Sequence, residues 1–362
     1  MPGVTIEATG THGGIGKRGW MDAAALAGVL TVLRVAVLAV LAAANGKPLG
    51  EQLVAWDAQH YLRIASEGYA QEESFAFFPA FPLLLRVLGG SAAAGIALNV
   101  VLTVVMTAGV MALAQRRGAG RAGQLAAAAV VTSAPLSIVF TMPYTEALFG
   151  ALAFWALAAL VDRRWLTAGA MVCALGLVRL TAVPLVAAFF VYVVWAARRE
   201  WRAWVGVAVS PLGLLGFLIW ANAHLPRGYF ALQRENWHSE FDMGLATARW
   251  VWNTLTAGEN VGYLLATCVI IAAPVCLALA WRRLDPPVWL FAAALEANIV
   301  LSDGLMHSRP RLLLPAALVL MPWAVCAVRS LRPAVAWTLV GAWALLGAWV
   351  SAYMLVVFEW AI

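Results

Sequence analysis

The stretch WDAQHYLRIASEGYAQEESFAFFPAFPLLLR, Trp56 to Arg86, holds Asp57, His60, Tyr61, Arg63, Glu67 and Tyr69 in one short loop between apolar runs. Two carboxylates, an imidazole, a guanidinium and two phenols are the inventory of an active site. If residues 57 to 66 form a short interfacial helix, Asp57, Tyr61 and Ala65 share one side, and Trp56, His60, Arg63 and Glu67 the next. Trp56, Tyr61 and Tyr69 would then anchor that helix at headgroup depth. An aspartate in the first turn meets the positive end of the helix dipole, which suits a carboxylate acting as base. On spacing alone a plain helix N-cap, worth about 1 kcal/mol, explains Asp57 equally well.

Other groups that can do chemistry are spread along the chain. In MHSRPR, His307, Arg309 and Arg311 are candidates for a phosphate, because a guanidinium fork matches phosphate oxygens. The plain alternative is snorkelling of arginines at a helix end. His60 and Arg63 are second candidates for the same role. Tyr144 and Glu146 stand at the outer mouth of an apolar run, where a carboxylate is paired with an arginine or lines a wet cavity. Arg34, Arg179 and Glu296 lie deeper and read as structural ion pairs, with Arg179 also within reach of an external turn.

Trp237, His238, Glu240 and Asp242 suggest a metal site, but the last three alternate and no second histidine lies within a turn, so no metal and no cofactor are expected. The better reading is an amphipathic external helix, with Trp237 and His238 on the acceptor side of a cleft and the indole stacking on sugar. Phe77, Phe78 and Phe81, with Pro79 and Pro82, fit a groove for a lipid chain.

The elements that must position these residues are membrane helices. The chain is 63% hydrophobic and 12% charged. Its apolar runs repeatedly exceed the roughly 18 residues that span a bilayer. The alternation of a membrane barrel is absent, so helices must satisfy the backbone, and the fold class is an all-α polytopic membrane protein. Eleven runs are predicted, at about 21–44, 91–114, 122–141, 145–161, 165–180, 182–197, 203–222, 261–281, 286–302, 311–328 and 334–358. The expected organisation is a cytoplasmic tail over 1–20 and a single transmembrane domain over 21–362, with external loops 45–90 and 223–260.

Charge supports one orientation. With the N-terminus inside, every short cytoplasmic loop carries arginines (116, 117 and 121; 163 and 164; 198, 199 and 202; 282 and 283; 329 and 332), as the positive-inside rule requires. Acids and histidines gather on the other side, among them Asp57, Glu67, Glu146, Glu240, Glu259, Asp303, His60, His224 and His307. Chemistry is therefore expected on the extracytoplasmic face. The net charge of +6 comes from short clusters between spans, not from one basic face, so nucleic acid is excluded as a partner. Cys173, Cys268, Cys276 and Cys326 sit inside apolar runs without ligand spacing and read as small core residues.

Two segments, WDAQHYLRIASEGY and FAFFPAFPLLLR, closely resemble the first luminal loop of the PIG-V family, the GPI mannosyltransferase 2 type of the GT-C superfamily. MPYTEALF (142 to 149) is similar to a second family segment and RPRLLLPA (309 to 316) to a late arginine-containing one. The resemblance implies a GT-C-like bundle whose first external loop carries the active site. It implies transfer of mannose from polyprenyl-phosphate mannose to a glycolipid or lipid-linked acceptor, with Asp57 as base. The partners are then the sugar donor, the acceptor and membrane lipids. A chain with only Lys17 and Lys47 as lysines and no N-x-S/T sequon points to a bacterial plasma membrane. The rival functions are a lipid or sugar transporter or flippase, and a GT-C enzyme using another sugar or a protein acceptor.

Overall fold

The computed structural model describes residues 14–237, 239–258 and 260–360. His238, Glu259 and most of the expected N-terminal tail lie outside the described residues. The tail ends earlier than expected, because Lys17–Ala44 is one continuous helix that takes in Lys17 to Trp20.

All eleven apolar runs contain helix, and no strand occurs among the described residues. Continuity is what hydropathy misread. Five helices are long and apolar enough to cross a membrane: Lys17–Ala44, Ala92–Arg116, Trp201–His224, Val261–Ala280 and Pro333–Val356. A sixth span forms if Met306–Leu312 and Leu314–Ser330, bent by 61°, count as one. The remaining runs are shorter helices such as Glu146–Val161 and Pro286–Val300, or broken ones. The run at 122–141, for example, is a helix over Arg121–Thr132 followed by a short 3-10 helix over Ser137–Phe140.

Helices Ala92–Arg116 and Glu146–Val161 pack along each other at the centre, and Lys17–Ala44 pairs with Pro333–Val356. Small residues permit close approach where lipid supplies no hydrophobic drive. A Cβ on Gly169 would lie 2.5 Å from the carbonyl oxygen of Gly206, so the helices starting at Trp165 and Trp201 touch backbone to backbone. The charged loops sort to two ends. At one end Arg116 pairs with Asp162 at 2.6 Å, Arg121 with Asp22 at 2.7 Å, Arg117 with Asp285 at 3.5 Å and Arg163 with Glu200. Asp57, Glu146, Arg179 and Arg311 meet one another elsewhere, apart from those clusters.

Of the deep charges, Arg179 forms the expected ion pair, with Glu146, while Arg34 and Glu296 differ from expectation. Arg34 forms no ion pair among the described residues; it donates to the Thr132 carbonyl at 2.8 Å and to Thr31 Oγ1 at 3.2 Å, with Phe140 beneath it. Both carboxylate oxygens of Glu296 lack a protein partner among the described residues. A buried arginine can spend its donors on helix-end carbonyls, so no acid is needed. The cysteines are not fully buried core residues either: Cys268 and Cys326 are exposed, and Cys173 and Cys276 are partly buried, Cys276 packing against the core.

The segment Thr141 to Thr145 has no helical hydrogen bonds of its own to spare, and a fully buried side chain holds it. Asn99 Nδ2 donates to the carbonyls of Met142 and Tyr144, the latter at 2.8 Å, and Thr103 Oγ1 reaches the Phe140 carbonyl at 3.1 Å. Gly95 lets Pro143 close on the same helix, since a Cβ there would come within 2.8 Å of the proline ring. Leaving a buried acceptor unmade costs about 1–3 kcal/mol. Asn99→Leu is therefore expected to lower the thermal unfolding midpoint in detergent by several degrees, while an unchanged midpoint would show that the clamp contributes nothing.

Candidate active site

The first loop folds as a helix over Asp57–Glu67. Ala58, Tyr61, Ile64 and Ala65 form its buried stripe, the spacing of an amphipathic helix. Its end is fixed by Gly68 at φ 78 and by Arg86, which donates to the carbonyls of Ala65 at 2.8 Å and Ser66 at 3.0 Å. Its start is strained: Trp56 is the N-cap at φ 56 and ψ −123, a conformation that costs a non-glycine residue about 1–3 kcal/mol. The residue before it is held by Tyr144, whose hydroxyl donates to the Ala55 carbonyl at 3.3 Å. Asp57 is therefore the first helical residue rather than the cap, and its side chain caps nothing.

Its carboxylate instead accepts a hydrogen bond from Arg311 Nη1 on Oδ2 at 2.6 Å. The same guanidinium has its Nε 3.4 Å from Glu146 Oε1 and its Cζ 5.2 Å from the centre of the Tyr144 ring. Arg179 donates to the same Glu146 oxygen. Asp57, Arg311, Glu146 and Arg179 thus form a chain of alternating charge. Glu146 is its buried member, 3% exposed, while the Asp57 side chain is 25% exposed.

These residues stand at one wall of a cavity of about 610 Å³, within the range of sites for small ligands. Asp57, Tyr61, Arg179 and Arg311 line one part; Gln233, Arg234, Asn298, Ser302 and Asp303 line another. Phe77, Phe78, Tyr229 and Trp237 supply apolar wall. The two long polar loops are joined at this point, with Phe78 against Tyr229 at 6.0 Å and Phe77 against Trp237 at 6.1 Å. Tyr69 fastens the first loop by donating to the Phe77 carbonyl at 2.8 Å, and Ala80 N–H bonds to the Leu177 carbonyl at 2.9 Å.

Several sequence candidates fall elsewhere. Arg309 touches the cavity, but its guanidinium is tied to Thr247 Oγ1 and the Ser302 carbonyl, which fastens the loops together. His307 lies against Tyr263 and Phe358 rather than in the cavity wall. His60 and Arg63 bond to each other at 2.9 Å, and the imidazole stacks on Phe77. Tyr144 and Glu146 sit behind the wall and act on the cavity through Arg311. Neither tyrosine of the loop is a headgroup anchor: Tyr61 is buried with its hydroxyl 3.3 Å from Thr145 Oγ1, and burial pushes the phenols of Tyr61 and Tyr69 up. Phe81 is core, not groove. Asp242 spends both oxygens on the N–H groups of Gly244 and Ala246, and among the described residues no cluster of metal ligands forms. Gln233 and Asn298 were not foreseen; they meet only through tertiary structure, and no spacing announces them.

Burial lowers the His60 imidazole below its ordinary value of 6.5. Protonation would also oppose the Arg63 cation beside it. The folded loop therefore holds the neutral ring, and stability present above pH 6.5 is lost as pH falls below it, because the unfolded chain takes up the proton first. Hydrogen-exchange protection of residues 57–77, taken relative to the intrinsic rate at each pH, is expected to fall between pH 7 and 5 in the wild type. His60→Phe is expected to flatten that dependence; equal pH profiles would remove His60 as its source.

Residues 22–117 match the family model described as mannosyltransferase (PIG-V). The GPI alpha-1,6-mannosyltransferase 2 of Mus musculus is 35% identical over 133 residues, covering 32% of this chain and 26% of the mouse protein. That of Homo sapiens is 62% identical over 32 residues, 9% of this chain and 6% of the human protein. The matched region spans about a quarter or less of these curated relatives. Over residues 22–117 the chain is similar to the PIG-V mannosyltransferase family.

Proposed function

We propose that the protein is a membrane mannosyltransferase that moves mannose from polyprenyl-phosphate mannose to a glycolipid or lipid-linked acceptor. Asp57 is its base, and Arg311 with Arg179 receives the donor's phosphate. The observation that carries this reading is Asp57, on a loop helix within the region similar to the PIG-V family, bonded to Arg311 with Arg179 beside them on the wall of one cavity. A sugar on phosphate already has a good leaving group, so the two carboxylates of glycoside hydrolysis are not required. One base at the acceptor oxygen and fixed positive charge at the phosphate suffice.

Trp237, Gln233 and Asn298 contribute the acceptor side, and Phe77 and Phe78 guide the first isoprenes of the donor. The cavity faces the extracytoplasmic side, an orientation supported by the arginine clusters of the short loops. A transporter would hold its functional polar residues near the bilayer midplane. Here they gather where the two polar external loops meet, which favours the enzyme.

Asp57→Asn is expected to lower mannose transfer from polyprenyl-phosphate mannose to membrane lipid extract by at least about 100-fold, the usual contribution of a general base. Radiolabelled product in lipid measures it. Activity near wild type would remove Asp57 from the mechanism, and label appearing in protein would move the acceptor to another class.

A further inference from the structure

The ion pair between Asp57 and Arg311 is lopsided. Arg311 is gripped from three directions, by Asp57, by Glu146 and by the face of Tyr144. Asp57 has Arg311 as its hydrogen-bond partner among the described residues, and it is the member of the pair more open to the cavity, 25% against 10% exposed. The arginine would stay in place if the aspartate left. Among the described residues the aspartate side chain is held by hydrogen bonding to the arginine alone.

That asymmetry is awkward for a resting base. One of its two carboxylate oxygens already accepts a hydrogen bond from Arg311 Nη1 at 2.6 Å, so the base is engaged before any acceptor hydroxyl arrives. Both anions that the reaction brings together, the carboxylate and a phosphate, also compete for one guanidinium.

Building on the transferase reading above, we propose that Arg311 changes partner during the reaction. It holds Asp57 in the empty cavity and the donor's phosphate in the loaded one, and the exchange frees the carboxylate for the acceptor hydroxyl. Glu146 is the positioning residue that makes the exchange possible, because its one oxygen keeps Arg311 and Arg179 side by side whichever anion is present. A phosphodiester carries one negative charge, so it replaces a carboxylate without changing the charge of this buried site.

The step balances. The acceptor oxygen bonds to the anomeric carbon as the bond from that carbon to the phosphate oxygen breaks. The electron pair stays on the phosphate, and the acceptor's proton passes to Asp57. Polyprenyl phosphate gains one negative charge while Asp57 loses one, and the new charge develops beside Arg311 and Arg179. After the product leaves, Asp57 gives its proton to water and returns to Arg311.

The exchange predicts that Asp57 competes with the donor. Polyprenyl phosphate, a probe without the sugar, is titrated into purified wild-type protein and the variants Asp57→Asn, Asp57→Ala and Arg311→Gln, each checked for an unfolding midpoint close to wild type. Removing the internal competitor is expected to tighten binding about tenfold in both Asp57 variants, even though their transfer is expected to be at least about 100-fold lower, because the whole population is then competent to bind. Arg311→Gln is expected to weaken binding at least tenfold. Should the Asp57 variants bind as the wild type does or more weakly, the exchange is overturned; if that wild type still transfers mannose, the transferase reading survives it. A wild type that neither binds polyprenyl phosphate nor transfers mannose overturns both.

Discussion

Charge neutrality at a buried spot governs this end of the molecule. Opposite unit charges about 4 Å apart attract by about 4 kcal/mol at an effective dielectric of 20, and like charges repel by as much. Arg179 and Arg311 converge on one oxygen of Glu146 and are tolerable there because Asp57 supplies the second negative charge. With any one of the four removed, a net charge is left in a poorly hydrated place. Such arrays seldom raise stability over an apolar alternative, since desolvation offsets the attraction. Their retention calls for a use, and exchange of one anion for another is a use that neutrality itself suggests.

The helices support the array from outside. Asp57 and Glu146 are each the first residue of their helix, so both carboxylates lie where backbone N–H groups are free and the dipole is positive. Arg311 comes from the short helix Arg309–Leu312, on the near side of the 61° bend. The strained Trp56 is the cost of starting the loop helix abruptly enough to bring Asp57 to the cavity, and Tyr144 joins the two parts, bonding to Ala55 on one side and lying under Arg311 on the other.

What could be read from the sequence follows from the range of the forces involved. The loop helix was legible because helical spacing is local: Asp57, Tyr61 and Ala65 were placed four residues apart on one side, and Tyr61 and Ala65 are buried there, though Ala58 and Ile64 were not foreseen with them. Arg311 was legible as a cation near an external turn, though not that Arg309 beside it would be spent on Thr247 and Ser302, since Thr247 is distant in sequence. Tyr61 read as an anchor because a phenol beside a membrane usually is one; its contact with Thr145 depends on a helix 84 positions away. Hydropathy marked apolar runs correctly and could not report whether each is unbroken. The fold class was therefore plain from composition, and the wiring of the site was not.

The broken helices and the cavity explain each other. Irregular backbone is tolerated at membrane depth only where protein satisfies it or where it lines a wet cavity. The interruptions fall at 133–145, 176–182 and 301–313, and each reaches the charged site: the first delivers Tyr144 and Glu146, the second Arg179, the third Arg309 and Arg311. Asn99 and Thr103 satisfy the first of them. Arg309 does the same for the third, through the Ser302 carbonyl. A bundle of unbroken spans would have no place to turn four charged side chains toward one point, so the short and bent helices are the means by which this fold makes a site.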